Sequence, residues 1–146
     1  MRKSLRLAPA VVLLLAACAA APGAPAVKTR QTAADAVAQL VDNYNTPRGE
    51  SFVRLLDSNR FPNSDQFGEN IRFFQIHSRQ INLDLVVDGA DHGAASADVD
   101  VRAHWNKTYV DSKGARQTSS GSCELLLSRQ SSGRLLLAAI HGQSPF

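Results

Sequence analysis

Cysteine is scarce in this chain: 146 residues carry two, Cys18 and Cys123. There is no Cys-x-x-Cys pair, and the histidines His77, His92, His104 and His141 are dispersed without His-x-x-x-His spacing. The ligand spacing of a structural zinc site is therefore missing. Asp88, Asp91 and His92 lack the twelve-residue pattern and closing Glu of a calcium loop, so no metal or other cofactor is implied. Long apolar runs are absent too. The strongest, residues 11–21, falls well short of the roughly 20 residues that span a bilayer. Basic clusters are the third absence. The formal net charge is +3, and Arg2, Lys3 and Arg6 account for all of it, because beyond residue 17 basic and acidic residues are equal in number. With no Lys/Arg patch, nothing in the remaining chain suits nucleic acid.

What the sequence does have is an ordered start. Arg2, Lys3 and Arg6 precede an apolar stretch that closes on Leu15, Ala16, Ala17 and Cys18. That order resembles the signal peptide of a bacterial lipoprotein. The resemblance implies that the Cys18 sulfur receives a diacylglyceryl group, that the bond before it is cut, and that the new amino terminus is acylated. Each buried methylene contributes roughly 0.8 kcal/mol and one chain binds only reversibly, so several chains on one cysteine make a lasting membrane anchor. Two other readings are a transmembrane helix, which the length disfavours, and secretory cleavage at Ala-x-Ala with Cys18 incidental. Ala19 after the cysteine implies, by the same resemblance, delivery to the outer membrane of a cell envelope, facing the periplasm. Residues 1–17 are thus expected to be a signal peptide, 18–31 the lipidated cysteine and an Ala/Pro-rich tether, and 32–146 one domain. With Cys18 consumed, Cys123 has no intramolecular partner, and Leu125 and Leu127 beside it point to a buried thiol.

The domain opens with helical signals. Thr32 and Asp35 are spaced for a capping box, and Ala36, Val37, Leu40, Val41 and Tyr44 form one apolar stripe. Thr46 and Pro47 can start a second helix, with Phe52, Val53, Leu55 and Leu56 as its buried side. A third, shorter helix is expected after Pro62 and Asn63, capped by Ser64 or Asp65, with Phe67, Ile71 and Phe74 on one face. After His77 the period becomes two. Ile81, Leu83, Leu85 and Val87 mark one strand, and residues 88–93 read as a turn. Ala95, Ala97, Val99, Val101, Ala103 and Trp105 alternate with polar residues in the cleanest strand of the chain. Residues 111–115 turn it again, and strands follow at about 117–129 and 134–141. Short connections imply an antiparallel meander, and helices followed by a sheet imply an α+β fold.

Residues 97–105, Gly114, residues 123–129, Gly133 and the closing residues 134–146 together resemble the nuclear transport factor 2-like superfamily, with its SnoaL-type and ketosteroid-isomerase-like members. One departure is Leu135, where relatives commonly carry Trp. The resemblance implies a cystatin-like cone: N-terminal helices over a curved four-stranded antiparallel sheet, with Tyr44, Leu83, Leu85, Val101 and Trp105 available to line a pocket for a small apolar ligand. It also implies a homodimer through the sheet face. An enzyme of this kind needs a carboxylate base and Tyr donors, for which Asp84, Asp98, Asp100, Tyr44 and Tyr109 are the candidates. The alternation sets the acids opposite the apolar row, so no catalytic residue is assigned. The expected function is a membrane-anchored, non-enzymatic binding or interaction module. The alternative is a small isomerase, cyclase or dehydratase.

Overall fold

The computed structural model describes residues 30–46, 52–92 and 97–146. The expected signal peptide, Cys18 and nearly all of the expected tether lie outside these residues, as do Pro47 and Ala95. In chain order the elements are α1 (Ala33–Asn45), a 3-10 turn (Phe52–Leu55), α2 (Ser64–His77), β1 (Arg79–His92), β2 (Val99–Val110), β3 (Arg116–Arg129) and β4 (Leu135–Gly142). The four strands form one sheet in the order β1-β2-β3-β4, every neighbouring pair antiparallel. The α+β class and the meander are as the periodicity predicts.

The capping box of α1 is present. Thr32 Oγ1 accepts from the Asp35 backbone N–H at 3.1 Å, and Asp35 Oδ2 accepts from the Thr32 N–H at 3.2 Å. Two of the helix's otherwise unpartnered amides are thereby satisfied. The stripe is buried through Ala36, Val37, Leu40 and Tyr44. It packs on the concave face of the sheet, where Leu83, Val101, Ala103, Trp105, Cys123, Leu125, Leu127 and Leu137 complete the core. Cys123 is free and buried, and burial raises its thiol pKa.

Three elements differ from expectation. The second helix is reduced to the single 3-10 turn Phe52–Leu55, and Thr46 serves as the C-cap of α1. The chain leaves helical geometry because Leu56 forms a parallel bridge with Leu137 and the Asp57 N–H donates to the Leu137 carbonyl at 2.8 Å. Pairing with the sheet edge outweighs local helix propensity here. The expected short third helix is α2, 14 residues long, and Asn63 stands at its N-cap in a left-handed conformation without a capping side chain. Ile71 is buried, and Phe67 and Phe74 are partly buried on the same face. Gly68 lets the helix approach the 3-10 turn, since a Cβ there would overlap Val53 Cγ2. Finally, β1 runs through the expected turn as far as His92, with a bulge between Val87 and Gly89. The polar run is used for pairing: Asp88 meets His104 at 2.7 Å and Asp91 meets Arg102 at 3.0 Å on the convex face.

Candidate functional site

Four of the five residues expected to line a pocket sit in the core. Tyr44, Leu83 and Val101 are 1%, 2% and 0% exposed, and Trp105 is buried beside them. The mouth of the cone is occupied by rings. Tyr44 stacks on Phe74 at 5.8 Å and meets Phe52 and Phe146 edge-on at 6.5 and 5.6 Å. Tyr109 packs edge-on against Phe74 at 4.8 Å. Across these rings lies Lys107, whose Nζ is 5.3 Å from the Phe74 centroid, 5.6 Å from Tyr44 and 5.7 Å from Trp105. It donates to the Pro145 carbonyl at 3.0 Å and to Tyr44 Oη at 3.4 Å. Aromatic faces attract a cation at these distances, while burial lowers the Lys107 pKa. The Tyr44 hydroxyl is raised well above the usual phenol range, chiefly by burial. Trp105 Nε1 donates to the Gln143 carbonyl at 3.0 Å. Two side chains of β2 thus hold the segment after β4 over the mouth.

The proposed acids do not converge there. Asp84 and Asp100 are exposed, and Asp98 pairs with Arg60 at 2.7 Å beyond the start of β2. Among the described residues the one buried carboxylate is Asp57. Its Oδ2 accepts from Ser128 Oγ at 2.5 Å and Gln130 Nε2 at 3.4 Å, and Oδ1 accepts from the Asn59 N–H. The Ser128 hydrogen bond is the main cause that lowers its pKa. This set fixes the segment after the 3-10 turn to β3. Among the described residues no three His, Cys, Asp or Glu side chains come together as a metal site.

Leu85, the fifth expected residue, lines a different space. Between α1 and the outer edge of β1 runs a cleft of about 370 Å³, walled by Ala34, Val37, Ala38, Val41, Leu85 and Val87, with Asp42, Asn45 and Asp84 at its rim. At one end the Asn45 side chain bonds the strand as a peptide would. Its Nδ2 donates to the Leu83 carbonyl at 2.9 Å, and its Oδ1 accepts from the Leu83 N–H at 2.7 Å. Neither Lys107 nor Asn45 stood out in the sequence. Lys107 had a usable signal: it is two residues beyond Trp105, hence on the same inward row. Asn45 had none, because its role arises where the end of α1 crosses β1.

No family model matches the chain, and no curated protein matches it. Solved structures do. A conserved protein from Planctomyces limnophilus is 12% identical, with a TM-score of 0.62 over 73% of this chain and 91% of its own. A nuclear transport factor 2-like superfamily protein from Salmonella enterica is also 12% identical, with 0.61 over 77% and 87%. A putative calcium/calmodulin-dependent protein kinase II association domain from Xanthomonas campestris is 13% identical, with 0.53 over 76% and 86%. Helices over a four-stranded antiparallel meander, shared with these structures, give this chain the nuclear transport factor 2-like fold.

Proposed function

We propose that the chain is a membrane-anchored envelope lipoprotein whose domain serves as a non-enzymatic binding or protein-interaction module. The placement of the acids carries this reading. An isomerase, cyclase or dehydratase of the ketosteroid-isomerase kind works with a carboxylate beside the substrate inside the cone. Asp84 and Asp100 face solvent and Asp98 is held by Arg60. The mouth instead presents packed rings and a lysine. In this reading Cys18 carries the acyl anchor at the periplasmic face of the outer membrane, and residues 19–31 space the domain from the lipid. Partners are a small apolar ligand or a protein segment at the α1–β1 cleft, and a second copy at the convex sheet face. That face exposes Val86 and half-exposes Leu126 and Ala139. A fold neighbour named as an association domain supports self-association. In a bacterial host, Cys18→Ser is expected to abolish acyl labelling and release the chain from membranes, and continued attachment overturns the anchor. Native mass spectrometry of the full chain from detergent is expected to show a bound molecule or a dimer. A bare monomer overturns the binding role.

A further inference from the structure

The cleft beside β1 is bounded on one side by the backbone of a sheet edge. In an antiparallel ladder both backbone groups of a residue point to the same side, and successive residues alternate. Leu83 spends its N–H and C=O on Asn45, away from β2. The β1–β2 register is unbroken from Asn82 to Val87, so Leu85 and Val87 turn their backbone groups to that same edge. Among the described residues neither has a backbone or side-chain partner there. Open N–H and C=O groups along a strand are a template for another extended chain.

The walls say what kind of chain fits. Ala34 and Ala38 keep the helical wall low, and Val37, Val41, Leu85 and Val87 make the floor apolar. Asp42 and Asp84 stand at the rim, and neither has an ion-pair partner among the described residues. Arg79 is the only basic residue other than histidine in β1, at its very start, so no lysine blunts this edge as edge lysines commonly do. We propose that the edge of β1 at Leu85 and Val87 takes an extended partner segment by strand addition, one that alternates apolar residues, seated in the cleft, with lysine or arginine beside Asp42 and Asp84. This deepens the interaction-module reading and rests on it. Asn45 already occupies the first pairing position, so the added strand begins one pair further on, at Leu85.

The test uses the full chain in detergent micelles with the peptide acetyl-Lys-Val-Lys-Val-Lys-Val-amide as probe, read by hydrogen exchange. Backbone amides at Leu85 and Val87 are expected to exchange about tenfold more slowly with saturating peptide. The Glu-for-Lys peptide is expected to bind about tenfold more weakly, the sum of a few exposed charge contacts. Asp84→Lys, which leaves Asp42 as the one acid at the rim, should remove that preference. Ala38→Trp, at an exposed position, should fill the cleft and abolish protection without unfolding the chain. The proposal is overturned if neither peptide slows these amides, if the two bind equally, or if an analogue N-methylated at alternate residues binds as well as the parent. Protection in the free chain that grows with protein concentration overturns it in favour of a second copy. Concentration-independent protection overturns it in favour of the chain's own residues. In all of these outcomes the Cys18→Ser fractionation still reports on the anchor.

Discussion

The two edges of the sheet are treated differently. At β4 the edge is covered: Leu56 bridges Leu137, the Asp57 N–H reaches the Leu137 carbonyl, and Gln31 Oε1 accepts from the Leu135 N–H at 2.8 Å. Arg129 adds a bond from Nη1 to the Gln31 carbonyl at 2.9 Å. At β1 one asparagine side chain serves Leu83, and the next outward positions have no partner among the described residues. Uncovered edges invite foreign strands, and among the described residues one edge of this sheet is closed by its own chain while the other is covered only at Leu83. Covering the β4 edge also costs helix, since the segment that does it has only one 3-10 turn.

Changes at the covered edge should have the largest effect. Leu137→Ala removes a fully buried side chain beneath the Leu56 bridge, and the expected loss is about 2–5 kcal/mol in denaturant unfolding. Asp57→Ala comes next. It strips partners from Ser128 Oγ, Gln130 and the Asn59 N–H, an expected loss of about 1–3 kcal/mol. The same residue predicts a pH effect. Its carboxyl has a lowered pKa in the folded state, first through Ser128, so it stabilises the fold above the unfolded carboxylate pKa of about 3.9. That contribution is lost as pH falls through the folded value. Asp57→Asn should therefore flatten the acid limb of a stability–pH curve, and an unchanged limb would place acid sensitivity elsewhere. The smallest effect belongs to the open edge. Asn45→Ala leaves Leu83 free to bond water, so only about 0.5–1.5 kcal/mol should be lost, with faster hydrogen exchange at the Leu83 amide as the clearer sign. If Asn45→Ala cost as much as Asp57→Ala, the edges would not differ as described.

Local rules made much of the fold readable. Thr32 and Asp35 announced α1, and strict alternation from Val99 to Trp105 gave β2 its buried row. Long-range pairing hid the rest. Residues 88–92 have turn composition, but Asp88 and Asp91 are spent on His104 and Arg102. Phe52, Leu55 and Leu56 have helical spacing, but the edge of β4 claims the chain at Leu56. The site was less legible than the fold. Periodicity found the inward rows that hold Tyr44, Leu83, Val101 and Trp105, yet it cannot tell a filled core from a lined pocket. That depends on which rings meet at the mouth. The cleft at the edge of β1 depends on where α1 ends, which no run of residues encodes.

Trp105 is the only tryptophan in the sequence. Its indole N–H is bonded to Gln143, and the Lys107 ammonium lies over its ring. Closure of the cone is therefore written into one chromophore. Emission excited at the indole band reports whether the segment after β4 is seated, with no label added. A shift to longer wavelength without loss of far-ultraviolet ellipticity would be the optical signature of a mouth that opens while the sheet stays intact.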